Sequence, residues 1–321
     1  MNISDIPSKI LKAFGVNGPK NTIPVDSSTT TDSNGVATFD KGFPPITMQP
    51  LSAGGKPPTG QDMNGILNAI TVQQQWQNAG GSFPFDSSFA GALSGYPAGA
   101  VIPSSDFYGF WQNTADGNST NPESVTGALT GWVPRSFYGS SAVSVTTANV
   151  TVPSLAAARD EIVITGNLTG NRYLYLPAWS KSWRIANNCT GNFSVLISTQ
   201  GGSAIVSSRP GMTVNVRCDG TGIYPVQQSN FASPGYLQMD NGILLQWGSV
   251  GVDPGASIIF DYPKPFSVSA FMGVACKGSE ITTSDYSCGI DTYRTQAKIT
   301  NGNNVSGSTG TQGIKWFVIG V

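Results

Sequence analysis

Gly235-Tyr-Leu-Gln-Met-Asp-Asn-Gly-Ile-Leu-Leu-Gln-Trp-Gly248 and Ile314-Lys-Trp-Phe-Val-Ile-Gly-Val321 are the stretches that decide the fold class. In the first, two apolar-rich runs flank Asn241-Gly242, a dipeptide that accepts positive φ at both central turn positions and matches the twist of the flanking strands. A β-hairpin is expected there. The second is strand-like to its last residue, and an end this apolar is expected to be buried, because left open it would be a sticky sheet edge.

Composition narrows the classes open to the rest. At 321 residues the chain exceeds the ~100–200 residues of a usual domain, so two or three domains are expected. Charged residues make up 11% and the formal net charge is -1, against a usual charged fraction of about 25%. Nothing here gives an electrostatic footprint for nucleic acid or a basic tract for an anionic membrane surface. With 39% hydrophobic and 10% aromatic residues, cores can form, so disorder is not the reading. No run reaches the ~20 apolar residues of a membrane span, and the start lacks a basic and apolar leader, so no membrane insertion is expected and synthesis is expected in a cytoplasm. Cys189, Cys218, Cys276 and Cys288 are widely spaced and read as reduced thiols rather than disulfides.

Along the chain, residues 1–60 are rich in Pro, Gly, Ser and Thr; Ile6 to Phe14 could form a short helix capped by Ser4, and Asn34-Gly35 starts extended segments and turns. From Thr59 to Asn78 the period changes. Met63, Ile66, Leu67 and Ile70 recur at helical spacing, and Gly80-Gly81 end the run, which predicts a helix near 60–78 that packs on its own domain rather than in a coiled-coil seam, since the pattern does not persist for the three or four heptads a seam needs. Short β-type pieces rich in aromatics follow to about Ser140. Val143 to Gln228 shows strands every ~8–12 residues with turn chemistry between them, the habit of a sandwich, barrel or stacked β-module. The alternating pattern resumes in Ala256-Ser-Ile-Ile-Phe260, in Tyr262-Pro-Lys-Pro-Phe266 and from Val268 to Cys276.

Three parts of the chain resemble bacteriophage tail fibre proteins. Gly54-Gly-Lys-Pro-Pro-Thr-Gly-Gln-Asp-Met-Asn-Gly-Ile-Leu67, then Trp76-Gln-Asn-Ala-Gly-Gly81, Gly95-Tyr-Pro-Ala-Gly99 and Gly131-Trp132 are similar to the N-terminal attachment region of such fibres. The resemblance implies docking of residues 1–140 onto tail or baseplate proteins of a virion, with Pro57, Gln61, Asp62, Asn64 and Trp76 as candidate attachment residues. Cys218-Asp-Gly-Thr-Gly-Ile-Tyr224 is similar to the closing segment of a fibre spacer module, assigned to 141–230. Leu237 to Val250, Pro263 to Phe266 and Trp316 to Gly320 resemble the C-terminal receptor-binding domain of a large fibre group, in which three copies form the tip; Val321 stands where an aromatic is common.

Chemistry beyond binding has little to build on. There is no histidine, which removes the commonest general base and metal ligand, and no nucleophile elbow or phosphate-cradling glycine loop follows a strand. A polysaccharide depolymerase needs only two carboxylates, and Asp285 with Asp291 or Asp240 with Asp253 could be named. Scattered turn carboxylates are more often just solvated, and the chain is short for the long β-helix such enzymes carry. The region from Gly278 to Asn304 is the candidate receptor surface, because tyrosine faces beside hydrogen-bonding side chains are what sugar rings require. Its candidate residues are Asp285, Tyr286, Asp291, Tyr293, Arg294 and Asn303.

The expectation is therefore a mainly β protein. A small α+β attachment domain (1–140) precedes two β-sandwich-like modules (141–230 and 231–321), in a parallel homotrimer. A virion protein of the tail is implied, binding a bacterial surface glycan or outer-membrane protein, with no catalytic residues, metal or cofactor. The alternative is a baseplate or fibre-adaptor protein without direct receptor contact.

Overall fold

Period-two alternation of buried and exposed side chains governs most of the chain: strands hold 38% of residues and helices 16%. The computed structural model describes residues 2–124, 129–226, 229–239, 242–277, 286–303 and 310–321, with the side chains of Tyr286 and Asn303 outside it. Two compact units divide the chain, Met1–Asn121 with Pro134–Ser136, and Pro122–Val133 with Phe137–Val321.

The first unit is organised by one long helix. Helix α1 (Thr29–Asn34), α2 (Gly60–Asn78) and α3 (Ser87–Ala92) are followed by the antiparallel pair β1 (Val101–Pro103) and β2 (Gly109–Asn113). The expected helix at 60–78 is α2, started by Thr59, whose hydroxyl accepts from the Asp62 N–H. No helix forms at 6–14. There the backbone is claimed by α2 instead: Gln75 donates to Ile10 O (3.1 Å), Asn68 to Phe14 O (2.8 Å) and Asn64 to Pro19 O (2.8 Å), while Thr71 Oγ1 accepts from Phe14 N–H (2.9 Å). Asn78, in its hydrogen-bonding amide orientation, accepts the Ile10 N–H at 3.2 Å. Residues 10–19 are thus an arm held along α2 by a polar side-chain row spaced three and four apart, which satisfies main-chain groups that a helix would have satisfied internally. The segment 29–34, for which no element was expected, is helical because Ser28 and Thr31 make a reciprocal cap and Gly35, at φ 75°, closes the end in the left-handed region.

Strand β3 (Trp132–Phe137) spans the division between the units. In the second unit the next strands are β4 (Ser140–Ser144), β5 (Val150–Thr151), β6 (Glu161–Asn167), β7 (Arg172–Leu176), β8 (Ser182–Thr190) and β9 (Val195–Thr199), with a short helix α4 (Ser154–Ala158) between β5 and β6. The chain alternates between two sheets: β4, β6 and β8 run parallel to one another, and so do β5, β7 and β9. This corrects the sandwich expectation for 141–230. Parallel neighbours from successive turns make a short solenoid, with Ser140 opposite Glu161 and Glu161 opposite Arg184. Strands β10 (Val206–Ser208), β11 (Thr213–Cys218) and β12 (Ile223–Pro225) then turn back antiparallel on β9, β8 and β11. Ile162, Ile164, Leu174, Trp183, Ile185, Val195 and Ile197 fill the interior.

Asparagine ties one turn of the solenoid to the next. Asn149 Oδ1 accepts the Tyr173 N–H (3.0 Å) and Asn171 Oδ1 the Ser194 N–H (2.9 Å), the same bond repeated one turn on. Gly166, at φ +132°, admits no side chain, since a Cβ would lie 2.3 Å from Val145 O.

The C-terminal module contains β13 (Ser229–Asn230), β14 (Gly235–Gln238), β15 (Leu244–Val252), β16 (Ser257–Asp261), β17 (Ala270–Lys277), β18 (Tyr286–Thr292), β19 (Gln296–Asn303) and β20 (Gln312–Gly320). One antiparallel sheet has the order β13-β14-β15-β20-β17 and the other β16-β19-β18. The expected hairpin is β14–β15. Met239 N–H bonds Ile243 O (2.7 Å) and Gly242 N–H bonds Met239 O (2.9 Å), with Gly242 at φ 89° in the left-handed region that glycine favours; Asp240 and Asn241 lie outside the described residues. The apolar last strand takes a central place, between β15 and β17. Its final residue is tied down too, Val321 O accepting from Val268 N–H and Ser269 N–H.

Leu244, Val252, Ile314, Trp316 and Val318 of the larger sheet share a core with Ala297 and Ile299 of the smaller, closed by Tyr262 and Phe266 from the proline-punctuated segment. The Tyr262 ring sits edge-on to Phe260 and Phe266, and its hydroxyl is buried without a hydrogen-bond partner. Burial pushes this phenol up to about 12, against a weaker downward pull from the Tyr293 backbone. The neutral form is the one the fold favours, so any stability that depends on it is whole below pH 10 and declines as pH rises from 10 towards 12. Tyrosinate absorbance is expected to show one late-titrating tyrosine, absent in Tyr262→Phe. Because the hydroxyl is unpaired, that substitution should change stability at neutral pH by no more than about 1 kcal/mol in a denaturant melt.

Candidate functional site

The outer faces of the two C-terminal sheets differ in character. On the five-stranded sheet, cross-strand register aligns Leu237, Leu245, Ile319 and Met272 in one row and Trp247, Phe317 and Val274 in the next. Met272 is 56% exposed and Val274 53%, and Phe231 stacks on Trp247 at 6.0 Å. Over these two rows the sheet is apolar on both sides, which single chains in water avoid; the next row of the same face is Ser249, Lys315 and Cys276. On the three-stranded sheet, register sets Asp261 opposite Gln296, Ile259 opposite Lys298, Ser257 opposite Thr300, and Lys298 opposite Asp291. Asp291, Tyr293, Arg294 and Asp261 are exposed, and the Ser257 and Thr300 hydroxyls pair at 2.9 Å. Here the described face is mostly hydrogen-bonding groups, with Tyr293 49% exposed and Ile259, 58% exposed, as its large apolar side chain.

Of the residues nominated from sequence, Asp291, Tyr293 and Arg294 gather at the closed end of the β18–β19 hairpin. The turn is fixed by Tyr293 N–H to Gln296 O (3.0 Å) and held from the side by Phe266 N–H to Arg294 O (2.9 Å) and Tyr262 N–H to Thr295 O (3.1 Å). Tyr286 and Asn303 pair with each other at the open end, about 20 Å away at ~3.3 Å per residue. The nominated set is therefore split between two ends and does not form one site. Asp285 lies outside the described residues, as does Asp240 of the second carboxylate pair, while Asp253 accepts from the Thr311 hydroxyl (2.6 Å). Asp261, Gln296, Lys298 and Thr300 were not singled out from sequence; they become neighbours only through register.

In the first unit the nominated residues face inward and outward in turn. Asp62 is 1% exposed and accepts from Asn21 Nδ2 (2.7 Å) and the Ala37 N–H (3.1 Å), so it cannot touch an attachment partner. It is a clasp for two chain segments against α2. Gly65 belongs to the same clasp, since a Cβ there would meet Asn21 O at 2.2 Å. Asp62→Asn would turn one acceptor oxygen into a donor facing a donor, and is expected to cost about 2 kcal/mol, read as a lower melting temperature of the first unit. Asn64 is spent on the arm. Pro57, Gln61 and Trp76 are exposed, and Trp76 packs its ring on Phe83 at 6.2 Å.

All four cysteines are free thiols. Cys189 and Cys218 are buried, Cys288 half-buried and Cys276 exposed; burial raises the Cys189, Cys218 and Cys288 thiols above their ordinary value. Among the described residues no helix is long and apolar enough to cross a membrane, and no group of acidic or cysteine side chains could hold a metal ion.

Residues 238–321, which span this two-faced module, match the family described as "Putative tail fiber protein gp53-like, C-terminal". The C-terminal module is similar to this tail-fibre family. The gp53-like module thus comprises β15 to β20 and the turn that opens β15, with the polar outer face inside the matched range and the apolar one inside it except for Leu237 and Phe231. Among solved structures, the chain is similar to the R2 pyocin fibre of P. aeruginosa at 24% identity and TM-score 0.27, covering 30% of this chain and 26% of that one. It is likewise similar to an N-truncated R1-type pyocin tail fibre at 21% identity and TM-score 0.26, covering 30% of this chain and 85% of that one. The chain thus spans about a quarter of the longer R2 fibre fragment it matches. No curated protein matches it.

Proposed function

We propose that the chain is a non-enzymatic tail fibre of a virion, a parallel homotrimer made in the bacterial cytoplasm. Its first unit attaches to tail or baseplate proteins, and its gp53-like module binds a bacterial surface receptor, a glycan by the chemistry of the face that meets it. The observation that carries the reading is the contrast between the two outer faces of a tail-fibre module. An apolar sheet face flanked by Phe231 and Phe271 suits burial against further copies of itself. A polar face with Tyr293, Asp291, Lys298 and Gln296 suits directional hydrogen bonds to hydroxyls beside one stacking ring. Trimer formation supplies avidity, since three weak sites on one particle act together.

The test is adsorption of the full-length chain to susceptible cells, followed by flow cytometry. Wild-type protein is expected to bind and to compete with the virion. Tyr293→Ala should bind about tenfold more weakly per site, the loss of one aromatic contact of about 1.4 kcal/mol, with its melting temperature unchanged because the ring is exposed. Undiminished binding by Tyr293→Ala together with Lys298→Ala would take the receptor site away from this face.

A further inference from the structure

Helix α2 carries three side-chain rows, and the first unit uses two of them. Asn64, Asn68, Thr71, Gln75 and Asn78 grip the arm. Asp62 and Gly65, the helix's buried residues, receive the segments around Asn21 and Ala37. The third row is Met63, Leu67, Ile70, Gln74 and Gln77, spaced four, three, four and three; Met63 is 45% and Ile70 56% exposed, Gln74 and Gln77 are exposed, and Leu67 is half-buried between them. Of the apolar residues expected to pack on their own domain, Ile66 and Leu67 are half-buried, whereas Met63 and Ile70 are exposed.

We propose that this row is a self-association seam, along which the α2 helices of parallel copies pack in register about a common axis. The inference rests on the homotrimer reading and gives it a second contact surface, in the attachment unit rather than the fibre module. The alternation of four and three is the spacing at which side chains of one helix drop between those of another in a supercoil. The composition of the row selects the occupant. Its first three residues are apolar and its last two are glutamine, so only a parallel, in-register copy sets apolar layers against apolar layers and amides against amides. An antiparallel helix would place Met63 against Gln77. Gln74 Nε2 already lies 3.4 Å from Gln77 Oε1, and amide layers in such seams fix register by hydrogen bonding across the axis. The helix has a single charged residue, Asp62, which is buried, so a different protein would find no charge pattern along the row to recognise. Two heptads are too short to hold chains together alone; the seam aligns what the apolar sheet face assembles.

The experiment uses the full-length chain with Ile70→Cys, in the seam, or Val72→Cys, exposed on another side of α2, each treated with a short bismaleimide. Tryptic mass spectrometry reads cross-links, and light scattering reads mass. Neither substitution removes a core side chain, so folding is retained. Residue-70 peptides joined to themselves in a three-chain species, with no such product for residue 72, are expected. A three-chain mass with no 70-to-70 product, or with residue 72 joined as readily, overturns the seam and leaves the homotrimer standing. A one-chain mass overturns both.

Discussion

Trp316→Ala is expected to lower the stability of the gp53-like module by about 3–5 kcal/mol, the largest loss of any single substitution in it. The indole is 4% exposed and lies 4.9 Å from the Phe260 ring and 6.0 Å from that of Tyr262, so its removal deletes the piece that joins the central strand β20 to the smaller sheet. The vacated space cannot close readily. Beside it, Gly248 leaves room for the ring, a Cβ at that position lying 2.6 Å from Trp316 Cζ2, and the β15–β20 ladder on which both residues sit is fixed by nine register pairs. Near-ultraviolet circular dichroism should lose its aromatic signal, the denaturant midpoint should fall, and adsorption should fail because the polar face loses its backing. Trp316→Phe, which keeps most of the volume, should recover much of the stability. A midpoint unchanged in Trp316→Ala would mean that the core does not depend on this residue.

Asn113→Ala should be the most damaging change in the first unit, at about 3–4 kcal/mol. The side chain is 1% exposed, and its Nδ2 sits 2.9 Å from Tyr96 O, 2.9 Å from Pro97 O and 2.6 Å from Ala115 O. An amide has two hydrogens for these three carbonyls, so one is shared. Its Oδ1 accepts from Asn118 Nδ2 (2.9 Å) and the Ala115 N–H (3.3 Å). One side chain thereby pins the Gly95–Gly99 turn to the 115–118 turn. Asn113→Asp is expected to be at least as harmful as alanine, because a carboxylate oxygen would face three carbonyl oxygens. Thermal melts of the two variants beside wild type check both statements; an aspartate variant as stable as wild type would contradict the donor role.

How far the fold could be read in advance depended on how local its causes were. The hairpin at 235–248, the last strand and helix α2 announce themselves within a dozen residues through period and capping, and the structure has all three. The solenoid does not. Its parallel pairing joins residues more than twenty positions apart, and its turns use the same Asn and Gly chemistry as antiparallel hairpins. The signal that could have revealed it is the recurrence of asparagine at Asn149 and Asn171, each bonding the amide above it. The absent helix at 6–14 fell to tertiary competition, since the amides of α2 take its backbone groups. For the candidate site, Tyr293, Asp291 and Arg294 were legible as an irregular polar segment. Lys298, Gln296 and Asp261 were hidden inside ordinary strands until register set them beside it. The segment around Gly60–Gly65, read as an attachment motif, holds a clasp: Asp62 and Gly65 receive the segments around Asn21 and Ala37, and the exposed surface lies on other residues of the same helix.

The proposed function requires polarity along the fibre, with the first unit at the virion and the gp53-like module away from it. A cryo-electron microscopy map of intact virions, with an antibody fragment bound to a tag after Val321, measures this directly. Label density at the free end of a fibre, far from the tail, is the predicted result. Density at the junction of the fibre with the tail, or beneath a second fibre, would contradict it and make the chain a mount for another receptor-binding protein.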